Sequence, residues 1–297
     1  MDERSRAHAG VSCAFCIDPA IPKPRNGKEN SIMALKQKTA VIFGGSGAIG
    51  STTAHALARE GAHVHLAARN LERLNKVADG ILAEGGSAET VQIDALDEPA
   101  TRETMDELAG LTGGIDIVVN ATSFLHDQGK EIGQLSLPGF MQGVVPLLSS
   151  FFNISQAVAP HMGGKRGGTI ISVVAPAARM AIPGHLGHIV GCAGMEAFSR
   201  ALASELGPRN IRVVCLRSHA IAGAVDAGSY TGELFAPKAQ AMGLSVQDWL
   251  AGAAQGTMLG RLPTLSQVAQ TIAFLASEHA DAITASVVNM TAGVVPE

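Results

Sequence analysis

Tyrosine is almost missing from this chain: Tyr230 is the only one among 297 residues, and Trp249 is the only tryptophan. Any chemistry that needs a phenol uses Tyr230 or does without. Charge is sparse too, at 16% of residues with a formal net charge of -4, and the lysines and arginines are scattered. Neither nucleic acid nor an anionic membrane is an expected partner of such a surface. The four cysteines, Cys13, Cys16, Cys192 and Cys215, are too few and too far apart for a disulfide framework, so reduced thiols are expected. No apolar run of membrane-span length and no secretory h-region is expected, so the chain is expected in the cytoplasm. What is plentiful is apolar content, 46% of the residues. At this length it most simply builds one large α/β core.

The remaining chemistry centres on one stretch. Thr39 to Phe43 is a short apolar run, Gly44-Gly45-Ser46-Gly47-Ala48-Ile49-Gly50 is a glycine turn, and Ser51 to Ala58 has a helical, alanine-rich pattern. Strand, glycine turn and helix in that order seat a pyrophosphate on free N–H groups at a helix N-terminus. Gly44, Ser46, Gly47, Ile49 and Gly50 are therefore the candidate phosphate-side residues. The spacings Gly45-x-Gly47-x-x-Gly50 and Gly44-x-x-Gly47-x-x-Gly50 both fit.

Residues 1–32 differ from the rest, carrying Pro19, Pro22, Pro24 and several charges without periodicity. They are expected to form a disordered extension to a single domain over 33–297. His8 and the Cys13-x-x-Cys16 pair lack the second pair that would complete a zinc site. Further on, 62–67 reads as a second strand, and Asn70 caps a helix whose Leu71, Leu74, Val77, Ala78 and Ile81 share a face. Arg69 follows the second strand directly. A carboxylate there would accept from a ribose 2′-hydroxyl, whereas a guanidinium clamps a 2′-phosphate, so Arg69 favours NADP(H) over NAD(H). A third strand over 90–93 leads to Asp94, a candidate acceptor for the adenine amino group, and a helix follows over about 99–108. A fourth strand over 115–120 ends at Asn120-Ala121, which should border the cofactor.

The order of elements from Lys36 onward resembles the short-chain dehydrogenases/reductases. The resembling stretches are Phe43 to Gly50, Asp94, Ile115 to Ser123, Phe152 to Val158, Gly168 to Ser172, Phe198 to Leu206, Ile211 to Val213, and Gly260 to Leu262 through Phe274 to Ser277. The resemblance implies a Rossmann-type doubly wound parallel sheet of seven strands in order 3-2-1-4-5-6-7, and a homodimer or homotetramer. The family works with a tyrosine, a lysine four residues later, a serine thirteen before the tyrosine and an asparagine on the preceding helix. Threading each onto this sequence puts His188 at the tyrosine, Cys192 at the lysine, Ala175 at the serine and Leu147 at the asparagine. The strand-end Pro-Gly becomes Ser218-His219, and the threonine of the glycine motif becomes Phe43. No Tyr-x-x-x-Lys exists elsewhere to rescue the alignment.

Such a site works differently if it works at all. A phenol titrates near 10 and needs a neighbouring cation, whereas histidine titrates near 6.5 unaided. His188 is thus the expected proton donor for reduction of a small apolar carbonyl substrate, with His185 or His219 assisting. The alternative is a non-catalytic NADP(H)-binding pseudoenzyme acting as a sensor or partner subunit. His188 with Cys192, one turn apart, also allow nucleophilic chemistry. His185, His188, Cys192 and His219 are a weighed zinc set, with no metal as the preferred expectation. Residues 221–257 fall where the family carries a substrate lid. Their Tyr230, Leu234, Phe235, Met242, Leu244, Trp249 and Leu250 suggest a greasy cover packed as a short helical pair, and Tyr230 is the one phenol able to reach the nicotinamide from it.

Overall fold

Apolar runs without alternation become strands buried on both faces, and alternating them with capped amphipathic helices gives a parallel sheet. The computed structural model describes residues 33–297; the expected extension over 1–32, with His8, Cys13 and Cys16, lies outside the described residues. Strands β1 (Thr39–Phe43), β2 (His63–Ala68), β3 (Ser87–Gln92), β4 (Ile117–Asn120), β5 (Gly168–Val174), β6 (Ile211–Ser218) and β7 (Ser286–Met290) form one sheet in order β3-β2-β1-β4-β5-β6-β7. Every pair is parallel. The helices are α1 (Ala48–Arg59), α2 (Leu71–Ala83), α3 (Glu98–Thr112), α4 (Leu137–Gln142), α5 (Val145–Val158), α6 (Leu186–Leu206), α7 (Thr231–Ala241), α8 (Val246–Gln255) and α9 (Leu265–Ala276).

Two apolar layers sandwich the sheet. Leu57, Leu74, Ile81, Val268 and Ile272 of α1, α2 and α9 pack on one face with Ile42, Leu66 and Val119. Met105, Phe151, Ile154 and Met195 of α3, α5 and α6 pack on the other with Val41, Phe43 and Val118. Local chemistry fixes the helix starts. Asn70 accepts from the Arg73 N–H, Asp97 from the Ala100 N–H, and Thr264 with Gln267 makes a capping box. Because β2 and β3 lie to one side of β1 while β4 to β7 lie to the other, a crevice opens above the carboxyl ends of β1 and β4.

Several boundaries move. The third strand begins at Ser87, earlier than its apolar core at 90–93, because β3 is an edge strand and its exposed Ser87 and Glu89 face water. The fourth strand is shorter than expected, and the helix over 99–108 extends to Glu98–Thr112. Leu71, expected on the buried face of its helix, is exposed at its first position. The expectation that no apolar run reaches membrane-span length also needs correction. Leu137–His161 meets it by length and composition. That run is broken at Gly143, between α4 and α5, and Phe151, Ile154 and Val158 of α5 are buried in the core. The lid region folds as the helical pair α7 and α8, with the rings of Phe235 and Trp249 4.5 Å apart.

Candidate active site

One cavity of about 610 Å³ runs over the carboxyl ends of the strands, in the size range of a cofactor pocket. The end of it beside the glycine turn is set by the backbone. Gly44 has φ +78°, and a Cβ there would lie 2.5 Å from the Ala121 carbonyl oxygen, so only glycine lets β1 turn this close to the end of β4. Gly50 does not line the cavity; it lies against the Gly44 carbonyl, where a side chain would push α1 off the turn. Helix α1 begins at Gly47 with no side-chain cap and no acidic residue in its first turn. Its first N–H groups and its dipole therefore face the cavity beside Ser46 and Ile49 with no protein anion to satisfy them. These features fit a dinucleotide pyrophosphate.

Arg69 and Asp94 line the same cavity, as does Ala121. Asn120 does not. Its buried side chain accepts from the Thr122 N–H at 3.1 Å and from the Thr122 hydroxyl at 2.6 Å, which locks the turn after β4. Sequence reasoning missed Arg73, the second guanidinium of this corner. It sits in the first turn of α2, lines the cavity with Arg69, and donates to the Gly228 carbonyl at 3.4 Å. Its place in the first turn of the helix that follows Arg69 is the signal that points to it. Phe43 is 1% exposed and packs largely into the α3 face of the core, so its ring forms a floor to the cavity.

The other end gathers all four threaded positions. Leu147 of α5, Ala175 after β5, and His188 and Cys192 of α6 line the cavity together with Ser218 and His219. The Cys192 Sγ lies 3.7 Å from the His188 ring nitrogens. Burial pushes the Cys192 thiol up to about 12. Burial, then His126, His185 and Lys238, push His188 down to about 3. Both groups are neutral at physiological pH. His126 stacks on His188 with centroids 4.0 Å apart and the planes 11° apart.

Helix α7, in the segment expected to be a lid, fastens to this cluster through a chain of hydrogen bonds. Lys238 of α7 donates to His185 Nε2 at 2.6 Å and to the Gln128 amide oxygen. Gln128 Nε2 lies 2.7 Å from His126 Nε2. The other nitrogens of both rings face carbonyls, His126 Nδ1 that of Phe124 and His185 Nδ1 that of Pro183. A carbonyl accepts only, so both imidazoles carry the proton on Nδ1 and offer a lone pair at Nε2. Burial holds Lys238 below its ordinary range and both histidines below theirs. His219 turns to the Ala253 carbonyl of α8. The weighed zinc set of His185, His188, Cys192 and His219 thus does not converge, since His185 and His219 are committed to the lid.

Tyr230 enters from the lid. It lines the cavity, its phenol is directed at the Ser123 hydroxyl, and burial pushes it up to about 12.

The family described as "Enoyl-(Acyl carrier protein) reductase" matches residues 45–295. The chain belongs to the short-chain dehydrogenases/reductases. Its relatives in this oxidoreductase family include a 3-oxoacyl-(acyl-carrier-protein) reductase FabG of Pseudomonas aeruginosa, 29% identical over 262 residues that span 88% of this chain and 99% of that protein. The FabG of Thermotoga maritima is 28% identical over 266 residues, covering 89% of this chain and 100% of the relative. Among solved structures, a short-chain type dehydrogenase/reductase from Mycobacterium marinum superposes with a TM-score of 0.74 at 26% identity, over 90% of this chain and 98% of that one. The seven-stranded order β3-β2-β1-β4-β5-β6-β7 is that of a Rossmann-type short-chain dehydrogenase/reductase. Membership carries with it a site for a nicotinamide dinucleotide.

Proposed function

We propose that this short-chain dehydrogenase/reductase binds NADP(H) and reduces the carbonyl of a small apolar substrate, with the proton supplied by Tyr230. The observation that carries the reading is the placement of the chain's only phenol in the same cavity as Leu147, Ala175, His188 and Cys192. A bound nicotinamide would supply the hydride. A carbonyl carbon that accepts a hydride leaves an alkoxide, and the oxygen must receive a proton from the chain. His188, the expected donor from sequence, forms an imidazolium only below about pH 3, so at neutral pH it holds no acidic proton and instead offers a hydrogen bond to the substrate oxygen. Tyr230 keeps its proton throughout the working range and is a far stronger acid than an alcohol, so transfer to the alkoxide runs downhill. The phenolate is then reprotonated from solvent past the exposed Ser123. Arg69 and Arg73 together favour the 2′-phosphate of NADP(H). Leu147, Ala175, Phe124 and Phe235 give the substrate end apolar walls. A homodimer or homotetramer is supported by the apolar groove of Leu148, Phe152 and Phe198 on the outer face of α5 and α6.

The second reading, a non-catalytic NADP(H) sensor or partner subunit, draws on a different observation: every titratable group at the threaded positions is neutral, and Ala175 and Leu147 carry no polar atom. Two measurements separate the readings. Fluorescence titration with NADPH, NADP⁺ and NADH tests the nucleotide site. NADPH oxidation with decanal and with ethyl acetoacetate then tests turnover. Tyr230→Phe is expected to lower turnover about a hundredfold or more at unchanged NADPH affinity. A normal rate in Tyr230→Phe with loss in His188→Ala returns the donor role to His188. Tight binding without turnover selects the sensor.

A further inference from the structure

A cluster at the opposite end of β2 from the coenzyme contacts has no part in that chemistry. His63 and His65 lie two residues apart on β2 and so face the same side of the sheet, and Glu89 of β3 is the direct cross-strand partner of His65. Glu89 Oε1 is 3.4 Å from His63 Nε2, and Glu89 Oε2 is 3.7 Å from His65 Nδ1. One donor atom from each residue falls in a set whose members all lie within 4.8 Å of one another. We propose that His63, His65 and Glu89 bind a zinc-class divalent metal ion that clamps the edge strand β3 to β2.

Three observations support the site. First, the spacing suits the ion. Metal–ligand bonds of about 2.0–2.2 Å put the ligands of a tetrahedron about 3.3–3.6 Å apart, close to the separations between Glu89 and the two imidazoles. Second, the His63 ring is already oriented. Its Nδ1 is hydrogen-bonded to the Ser87 hydroxyl, which leaves Nε2 directed at Glu89, as an outer hydrogen bond orients a metal-bound histidine. Third, His65 lacks a satisfied partner. It is 3% exposed, its Nε2 is buried with no hydrogen bond, and the Glu89 oxygen facing its Nδ1 stands beyond hydrogen-bond reach. Coordination at Nδ1 gives that nitrogen the partner Glu89 does not reach, with the ring proton on the unbonded Nε2.

The chemistry selects the ion. Two imidazoles and one carboxylate suit zinc, copper or nickel, whereas magnesium and calcium prefer all-oxygen sets. No lysine or arginine among the described residues pairs with Glu89. Three protein ligands leave a fourth position for water on the open side, where Glu89 is well exposed. His65 lies about 13 Å along the strand from Arg69, so the ion would be structural and separate from the nucleotide site.

The test uses the full chain, stripped with EDTA and titrated calorimetrically with ZnCl₂ and with MgCl₂ at pH 7.5. Since His8, Cys13 and Cys16 can also hold zinc, the titration is repeated in Cys13→Ser. His63→Ala and Glu89→Gln change exposed or half-exposed groups and leave the fold intact. In the Cys13→Ser background the expected result is one bound zinc, no magnesium, and at least tenfold weaker zinc binding in each of the two variants. A rise in Tm of roughly 5 °C is expected at a hundredfold excess of zinc over Kd, and it should vanish in His63→Ala. Absence of zinc binding in Cys13→Ser, or an affinity unchanged by His63→Ala and Glu89→Gln, overturns the proposal.

Discussion

The two ends of the cavity are built by different means. The phosphate end is made of backbone: a left-handed Gly44, an uncapped helix and the close passage of β1 against β4. The other end is made of side chains from α5, α6, two loops and the 221–257 segment, with the threaded positions neutral or apolar where they face the cavity. A backbone site tolerates sequence change as long as its few glycines remain. A side-chain site can be rebuilt entirely on the same scaffold, since its members depend on one another and not on the turn. Replacing Leu147, Ala175, His188 and Cys192 together leaves no half-satisfied network behind.

The difference can be broken from either side. The largest effect is expected beneath the carbonyl end. Arg217, buried at the end of β6, is gripped by Glu196 of α6 through bonds of 2.7 and 3.0 Å and also by Glu297. Glu196→Ala leaves the buried guanidinium with Glu297 as its one carboxylate partner and should lower stability by about 3 kcal/mol in a denaturant titration. Turnover should fall further than NADPH affinity, because the change loosens α6 and not the glycine turn. At the phosphate end, Gly44→Ala forces a side chain into a positive-φ position against the Ala121 carbonyl. A loss of about 2–3 kcal/mol, with NADPH binding weakened at least a hundredfold, is expected by thermal melt and fluorescence titration.

Acid should divide the two ends more gently. His188, His126 and His185 all have folded-state values below the ordinary 6.5, so between pH 6.5 and each folded value the unfolded chain binds more protons. Stability therefore falls as pH drops below 6.5, with a limiting slope of about 1.4 kcal/mol per pH unit for each proton, and the His188 contribution is spent near pH 3. Lys238 faces the same cluster and disfavours its protonation, while Asp127, salt-bridged to Lys130, opposes it weakly. His188→Phe should make the stability profile shallower over about pH 4–6.5; an unchanged profile would show that His188 takes up its proton in the folded state as readily as in the unfolded one. The smallest effect belongs to Arg73→Ala. It should weaken NADPH binding by roughly tenfold or less while sparing NADH, since the guanidinium is solvated.

Much of this was legible in one dimension. The alternation of apolar runs with capped helices indicated a parallel α/β sheet because it depends on local periodicity, while the strand order followed only from the resemblance to the short-chain dehydrogenases/reductases. Threading put Leu147, Ala175, His188 and Cys192 at one site because their spacing along α5, β5 and α6 survives substitution. The edge strand was read short because water, not apolar packing, meets half of its side chains. Arg73 was missed since one exposed arginine looks like any other until α2 turns it beside Arg69.

Sequence by itself determined the alternation of strands and helices, the glycine turn after β1 and the absence of any tyrosine on α6. Only the tertiary structure decided the charge state of the histidines and the position of the single phenol. Protonation depends on how deeply a ring is buried and on what faces it, and Lys238, His185, Gln128 and His126 come from three separate segments. The pairing of His63 and His65 with Glu89 is likewise a matter of strand register, which parallel strands joined through a helix do not declare in their sequences.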